Sequence, residues 1–265
     1  WFDHALPTAD ELKESIFQAH ERADSIGVLS TIIENHDEPR GVSHYIAEGP
    51  VNDTSKKALG TIQVLRKGIP FIYQGQEIGM ENQVFESVED FDDIATINGY
   101  HVAKEAGLSE EEALAAIANY SRDNARTPMQ WSAEPGLGFS DGPAWLISPK
   151  PDVAINVEDQ EKDPNSILNY YRQLTALYRH HLYGNTIRFG DMIPAYRDRE
   201  NIIAFERRGD KRLLVVSNFQ NRQATLELPA LIKTVILNNT VGLFQEGDQV
   251  LELAPYQTIV LELAE

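Results

Sequence analysis

The sequence predicts an α/β segment built on parallel strands, followed by a small antiparallel β domain. Two short apolar runs, residues 26–33 and 69–73, have the composition of buried strands, and each ends in polar residues. A helical pattern lies between them, and the order strand, helix, strand is typical of a parallel sheet or barrel. In such folds the active site lies at the carboxyl ends of the strands. Beyond Tyr183 the pattern changes to short β-rich runs.

The helix expected between the two strands has clear end signals and one apolar face. Asp53 or Thr54 is suited to cap its start, because a short side chain with an oxygen can accept from the free N–H groups of a first turn. Gly68 is suited to end it. The apolar residues that share one face are Ala58, Leu59, Ile62 and Leu65.

An insertion with one helix is expected after the second strand. Residues 81–98 are acidic and without clear periodicity, so we expect an irregular segment there. Ser109 and Glu112 form a capping box before a helix over 113–120.

The Gly- and Pro-rich stretch 121–164 is too long for a simple connector, and such loops are more often functional than not. Asp163 and Pro164 are expected to start the next helix. That helix should bury Ile167, Tyr171, Leu174 and Tyr178.

The β domain is predicted from a series of short runs rich in β-branched and apolar residues, separated by turns such as Arg208-Gly209-Asp210. No internal repeat is visible. The runs lie at 202–205, 213–216, 224–228, 234–237, 250–253 and 258–263.

Composition excludes several classes of protein. An apolar fraction of 42% with 9% aromatics is enough for a packed core, which excludes a disordered tail. The 41 acidic against 23 basic residues give a charge of −18, which repels phosphate backbones and anionic lipid, so we expect neither a nucleic-acid nor a membrane partner. The chain has no cysteine, so disulfide and thiolate chemistry are excluded and a cytoplasmic location is expected. No apolar run approaches the about 20 residues that cross a bilayer.

The chain begins with Trp1 rather than Met, and nothing near it has the pattern of a signal peptide. We therefore expect the beginning of the natural protein to be missing. Any chemistry assigned to the chain has to allow for residues upstream of it.

Three strings, in this order along the chain, carry a resemblance to a known family. The first is Glu34-Asn35-His36-Asp37 with the following Pro39 and Arg40. The second is 70–77, Pro-Phe-Ile-Tyr-Gln-Gly-Gln-Glu, and the third is 121–131, Ser-Arg-Asp-Asn-Ala-Arg-Thr-Pro-Met-Gln-Trp. Together they resemble glycoside hydrolase family 13, the α-amylase family, and the third resembles its oligo-1,6-glucosidase and dextran glucosidase branch. The likeness covers nearly the whole chain.

This resemblance implies that residues 1–182 are the C-terminal portion of a catalytic TIM (β/α)8 barrel, holding its last two strand–helix units. Residues 183–265 would then be a C-terminal antiparallel β-sandwich domain. The implied function is a retaining, exo-acting α-glucosidase on isomalto- or malto-oligosaccharides or sucrose, with a small neutral oligosaccharide as its partner. A sucrose isomerase or other transglycosylase of the same branch stays open, as does a non-catalytic carbohydrate-binding or assembly protein on this scaffold.

By the resemblance, Asp37 is the third catalytic carboxylate, which binds hydroxyls of the sugar under attack. A carboxylate can accept two such hydrogen bonds, and they strengthen as the ring gains oxocarbenium character. Without the family match, an aspartate that caps a loop at the end of a strand is the simpler interpretation.

His36 resembles the family histidine that donates to a sugar hydroxyl, whereas an isolated histidine beside an aspartate is more often structural. Arg122 is matched to the arginine that closes the pocket through a pair with an aspartate early in the barrel, upstream of Trp1. Arg126 could shape the mouth of the pocket. A solvated arginine in a loop is the alternative for both.

The resemblance also implies what the chain lacks. Retaining hydrolysis needs a nucleophilic carboxylate and a general acid about 5 Å apart, and in this family both lie upstream of the present Trp1. The chain alone is therefore expected to be inactive. The acidic residues Glu86, Glu89, Asp90, Asp92 and Asp93 are interpreted as a solvated face. No cofactor and no metal site are expected in these residues.

One position departs from the branch. After Asp92-Asp93-Ile94 the oligo-1,6-glucosidases usually continue with a glutamate that contacts the leaving-group sugar, whereas this chain has Ala95. Loss of a polar contact at the acceptor side changes which linkage is held, so the linkage preference is left open, as is the oligomeric state.

Overall fold

The computed structural model describes residues 6–47, 49–147, 155–240 and 244–264. The chain forms two compact units whose segments alternate along the sequence. Within the described residues, the first unit contains Leu6, Ile33–His44 and Ile72–Asn169, and the second contains Pro7–Ile32, Tyr45–Phe71 and Tyr170–Glu265. The domain boundary expected at residue 183 stays a prediction.

The helices and strands alternate in the first part of the chain, and strands dominate its end. The α-helices are α1 (Ala9–Ala23), α2 (Gly41–Tyr45), α3 (Asp53–Leu65), α4 (Ile94–Glu105), α5 (Glu110–Ala118), α6 (Val157–Lys162), α7 (Ile167–Tyr178) and α8 (Gly184–Phe189). The strands are β1 (Ser30–Thr31), β2 (Ile69–Pro70), β3 (Asp191–Ala195), β4 (Ile202–Arg208), β5 (Arg212–Asn218), β6 (Ala224–Glu227), β7 (Ile232–Asn238), β8 (Val250–Leu253) and β9 (Thr258–Leu263). Short 3₁₀ turns lie at Gln76–Ile78, Val88–Asp90, Arg122–Arg126 and Pro135–Gly138.

In the second unit β1 and β2 form a parallel pair, with Ser30 opposite Ile69. The parallel pairing was predicted correctly, but the predicted strand lengths, 26–33 and 69–73, were wrong. Among the described residues these strands pair only with each other, and Pro70 has no N–H to extend the ladder. The upstream residue Ile26 is 85% exposed, so its apolar character does not reflect burial in a sheet within this chain.

Helix α3 buries the predicted face of Ala58, Leu59, Ile62 and Leu65. Its cap is Asn52, whose side chain accepts from the N–H groups of Thr54 and Ser55, so the prediction of Asp53 or Thr54 was wrong. Asp53 lies one residue inside the helix, where its charge complements the helix dipole.

The helix also ends earlier than predicted, because it stops at Leu65 and Gly68 lies in the turn that leads to β2. Gly68 has φ +145°, and a Cβ there would lie 2.6 Å from the Leu29 carbonyl oxygen. A glycine is therefore required at this position because the Leu29 backbone lies too close for a side chain, and not because the helix ends there.

In the first unit the capping box of Ser109 and Glu112 is confirmed, and α5 starts directly after Ser109. The insertion contains a second helix, α4, which was not predicted; Asp93 caps it by accepting from the Ala95 N–H. Helix α7 begins at Ile167 rather than at Asp163 and Pro164, since Asp163 instead accepts from the Asn165 N–H in a preceding turn.

The end of the chain forms a five-stranded antiparallel sheet in the order β3-β4-β5-β9-β7 and a separate antiparallel pair, β6-β8. All the predicted β-rich runs are strands, while β3 was missed. Both sheets contribute to one apolar core, which includes Leu214, Leu226, Leu251 and Leu261, each at most 1% exposed. Among the described helices, none is long and apolar enough to cross a membrane.

Candidate active site

Asp37 lies on an exposed loop of the first unit with three cationic or imidazole groups around its carboxylate. Arg126 Nη2 donates to Asp37 Oδ1 at 2.9 Å, and Arg122 Nη1 donates to the same oxygen at 3.4 Å. His36 Nε2 lies 3.2 Å from the other oxygen, Oδ2. The side chains of Asp37 and His36 are 51% and 71% exposed, so the group is open to a ligand.

The spacing of the two arginines follows from a 3₁₀ turn. Ser121 caps the turn Arg122–Arg126 by accepting from the Asp123 N–H. Both guanidinium groups reach one oxygen of Asp37 from this short turn. The structure thus brings together the four residues that the sequence singled out, Asp37, His36, Arg122 and Arg126.

Arg122 makes its stronger contacts with Asp93. Its Nε donates to Asp93 Oδ1 at 3.2 Å, and its Nη2 contacts the same oxygen. The resemblance implied a partner upstream of Trp1, whereas the carboxylates that Arg122 contacts here, Asp93 and Asp37, both belong to this chain.

The prediction that Asp93 lies on a solvated face was wrong, because its side chain is only 3% exposed. Burial alone would raise the pKa of Asp93, but hydrogen bonds from Arg122, the Thr96 hydroxyl and the Ala95 N–H hold that pKa below its ordinary value. Asp93 is therefore a paired, buried carboxylate.

The other members of the acidic cluster are more exposed but not all free. Asp90 Oδ2 accepts from the backbone N–H groups of Glu86 and Ser87, and Asp92 Oδ2 accepts from the indole N–H of Trp145 at 2.9 Å. Glu86 and Glu89 are exposed, as the sequence predicted. The cluster is thus one buried ion-pair partner, two local hydrogen-bond acceptors and a solvated remainder.

Arg126 is fixed from more than one direction. Its Nε donates to the His36 carbonyl oxygen at 2.9 Å, and its Nη1 lies 3.6 Å from Asp123. Asp123 is fully buried, and its other oxygen accepts from the N–H groups of Asp92 and Asp93, each at 2.8 Å. Asp123 therefore ties the turn that carries both arginines to the start of α4.

Sequence reasoning missed Asp93 and Asp123 as parts of this arrangement. The available signal for Asp93 was its place directly before the helical segment Ile-Ala-Thr-Ile, where an aspartate is a preferred cap. Ala95, the position that departs from the branch, is exposed in the first turn of α4. Across the described ranges, no three His, Asp or Glu side chains are grouped so as to hold a metal ion.

The arrangement offers both kinds of hydrogen-bonding group that a polyhydroxylated ligand needs. The Asp37 carboxylate accepts, while the guanidinium groups of Arg122 and Arg126 donate; Asp37 is half exposed and the two arginines are partly exposed. The fork geometry of a guanidinium allows it to hold a carboxylate and a further oxygen together.

Comparison with known proteins places the chain in a family. Residues 2–184 match the alpha-amylase catalytic domain, and residues 202–260 match the C-terminal domain of the alpha-amylase SusG. The chain belongs to the α-amylase family, as the motifs indicated.

Two of the relatives are named oligo-1,6-glucosidases. The chain is 40% identical over 197 residues to "Probable oligo-1,6-glucosidase 2" of Bacillus subtilis, covering 74% of this chain and 35% of that protein. It is 38% identical over 234 residues to the oligo-1,6-glucosidase of Halalkalibacterium halodurans, covering 86% and 41%. The chain thus spans less than half the length of these relatives.

Among solved structures the isomaltulose synthase of Klebsiella sp. LX3 is similar, with a TM-score of 0.91 and 31% identity. The match covers 99% of this chain and 48% of the synthase. The trehalulose synthase of Pseudomonas mesoacidophila MX-45 matches with a TM-score of 0.90 and 31% identity, covering 97% and 47%.

Proposed function

We propose that the complete protein is a retaining, exo-acting α-glucosidase on short α-glucosides, and that this chain supplies one wall of its active site. The observation that carries the proposal is the exposed Asp37 carboxylate, held by Arg122, Arg126 and His36 in a chain of the α-amylase family. Two of the relatives are named oligo-1,6-glucosidases, which supports the proposal.

Asp37 is proposed to bind hydroxyls of the sugar under attack. Its carboxylate would hold them more tightly as the ring approaches the oxocarbenium-like transition state, which accelerates the chemical step. His36 would donate to a hydroxyl of the same sugar. Arg122 would close the non-reducing end of the pocket, and Arg126 would shape its mouth.

The nucleophile and the general acid are proposed to lie outside this chain. Hydrolysis with retention requires two carboxyl groups about 5 Å apart on either side of the glycosidic bond. We further propose that the β1, α3 and β2 segment belongs to a TIM (β/α)8 barrel, of which this chain is the C-terminal portion, and that the chain alone is inactive.

A sucrose isomerase is the second candidate. It is favoured by the likeness to isomaltulose and trehalulose synthases and by Ala95, which leaves no carboxylate at an exposed position in the first turn of α4. A mutant of the trehalulose synthase MutB, whose solved structure is also similar to this chain, contains the substrate sucrose.

The test is to give the complete protein isomaltose, maltose and sucrose separately and to separate the products by chromatography. Release of glucose supports the α-glucosidase, and conversion of sucrose to an isomeric disaccharide supports the isomerase. Binding of sugar without any product would favour the non-catalytic carbohydrate-binding protein and would overturn both enzyme proposals.

A further inference from the structure

A buried ion pair joins the two ends of the loop that carries His36 and Asp37. Glu34 and Arg40 are six residues apart, their side chains are 1% and 0% exposed, and Arg40 Nη1 lies 3.4 Å from Glu34 Oε1. Glu34 Oε2 also accepts from the Gly41 N–H at 2.6 Å, at the start of α2. One carboxylate therefore contacts both the side chain and the backbone at the far end of the loop.

Arg40 is also anchored to other segments of the first unit. Its Nη1 donates to the Gln74 carbonyl oxygen at 2.8 Å, and its guanidinium lies 5.5 Å from the centre of the Tyr73 ring. Its backbone N–H donates to Asn82 Oδ1 at 2.9 Å. A Cβ on Gly75 would lie 3.1 Å from Arg40 Nη1, so the backbone passes close to the guanidinium.

The exposed side of the same loop is held separately. Arg126 contacts the His36 carbonyl and Asp37, and the Asp37 N–H donates to Asn35 Oδ1 at 2.7 Å. The Glu34–Arg40 pair makes none of these contacts. It therefore fixes the base of the loop without touching the face that is open to a ligand.

A buried ion pair is weak evidence for stability as such. Replacing both partners by uncharged residues of similar volume is often neutral, whereas removing one partner leaves an uncompensated charge. A pair that only stabilises and a pair that sets the position of the loop can therefore be told apart by comparing single and double variants.

We propose that Glu34 and Arg40 are positioning residues, which set the place of the loop 35–39 and so of the Asp37 carboxylate. The contribution of this pair to turnover rests on the proposed function, while its control of the loop does not. A misplacement of about 1 Å at a reacting centre can reduce a rate about a hundredfold, so a small shift of the loop has a large effect on turnover.

The experiment compares three variants of the complete protein by amide hydrogen exchange of the peptide covering 35–41, by kcat and KM, and by melting temperature. Glu34→Gln keeps an oxygen for the Gly41 N–H but removes the charge opposite Arg40. Glu34→Gln/Arg40→Met removes both charges. Glu38→Gln is the matched control, because Glu38 is exposed on the same loop and has no part in the pair.

The proposal predicts that Glu34→Gln speeds exchange in this peptide about tenfold or more and lowers kcat about a hundredfold, with a smaller change in KM. The double variant is expected to recover melting temperature but not kcat, because the contact of Arg40 with the Gln74 carbonyl is lost too. Glu38→Gln should match the parent in all readouts.

Two results would overturn the proposal. One is exchange of the loop peptide in Glu34→Gln that equals that of the parent. The other is a double variant whose kcat returns together with its melting temperature, which would show a purely structural pair. If the parent releases no glucose, the proposed function fails by itself, and the exchange measurement still decides whether the pair controls the loop.

Discussion

At the scale of single residues, the central feature is one arginine between two carboxylates in unlike surroundings. Arg122 holds the buried Asp93 through Nε and Nη2, but its contact with the half-exposed Asp37 is 3.4 Å long. An ion pair out of water is screened less than an exposed one. Asp93 is therefore the anchor of Arg122, and Asp37 is the partner that remains available to a ligand.

Asp93→Asn is expected to loosen Arg122 and to weaken binding of a glucose-shaped iminosugar to the complete protein, because the amide keeps the shape but loses the charge. The expected loss is about tenfold, in line with one charged contact. Isothermal titration measures it. Asp92→Asn is the control, since the Asp92 side chain accepts from the Trp145 indole N–H through an oxygen that an amide also offers.

The same variant gives a pH test of the pair. The pKa of Asp93 lies below the ordinary value of about 3.9, so the pair contributes stability that is fully present above that value and is lost as pH falls through the lowered pKa. The difference in melting temperature between parent and Asp93→Asn should be constant above about pH 5 and shrink below about pH 4. A difference that grows on acidification would contradict this assignment.

The sequence was sufficient to group the exposed and partly exposed residues of the site but not the buried residues that support them. His36, Asp37, Arg122 and Arg126 lie in motif strings, and the structure brings them together, while their roles stay proposals. Asp93 lies in a run of acids that has no periodicity, and composition alone cannot separate a buried helix cap from a solvated carboxylate. Asp93 is buried because it pairs with Arg122, which is distant in sequence, and this pairing is not visible in the local composition.

At the scale of elements, α3 depends on a cap that lies one residue before the predicted one. Asn52→Ala removes the acceptor for the N–H groups of Thr54 and Ser55. The loss is about 1 kcal/mol of unfolding free energy, or a melting temperature roughly 2–4 °C lower for a domain of this size. Thermal unfolding followed by circular dichroism measures it.

Asp53→Ala is the matched control for the cap, because Asp53 is exposed and contributes only a charge near the helix dipole. Its effect should be well under half that of Asn52→Ala. An equal or larger effect would show that the assignment of the cap to Asn52 is wrong.

Most of the strands at the end of the chain were predictable, since alternating β-branched runs and turns specify strands locally. Strand β3 was missed because its sequence, Asp-Met-Ile-Pro-Ala, contains a proline and lacks that pattern; it forms by pairing with β4. Helix α1 was also missed, although Thr8 and Glu11 form a capping box. Strands β1 and β2 were predicted too long, because apolar composition does not show how many residues of each run pair with a neighbouring strand.

At the scale of the whole molecule, the segments around β1 and β2 carry apolar side chains that this chain leaves exposed. Ile26, Val28, Ile69 and Phe71 are each more than half exposed. Such a group of apolar side chains is typical of a surface that another part of a protein covers. This agrees with the proposal that these segments belong to a larger barrel.

The chain by itself is predicted to have no glycosidase activity on any α-glucoside. It contains Asp37, but a carboxylate that stabilises the transition state cannot replace a nucleophile and a general acid. The purified chain of 265 residues is assayed against p-nitrophenyl α-glucoside and isomaltose beside the complete protein. Turnover that survives purification and disappears with Asp37→Asn would refute the proposal that the nucleophile and the general acid lie outside this chain.

The most direct test of the central claim is the turnover of the Asp37→Asn variant of the complete protein on the substrate that the parent hydrolyses best. The amide preserves size and hydrogen-bonding shape but removes the charge that favours the transition state over bound substrate. We predict a fall in kcat of about a thousandfold or more, with a melting temperature close to that of the parent. A kcat within about tenfold of the parent, where tenfold corresponds to about 1.4 kcal/mol of barrier, would contradict the assignment of Asp37 to the reaction.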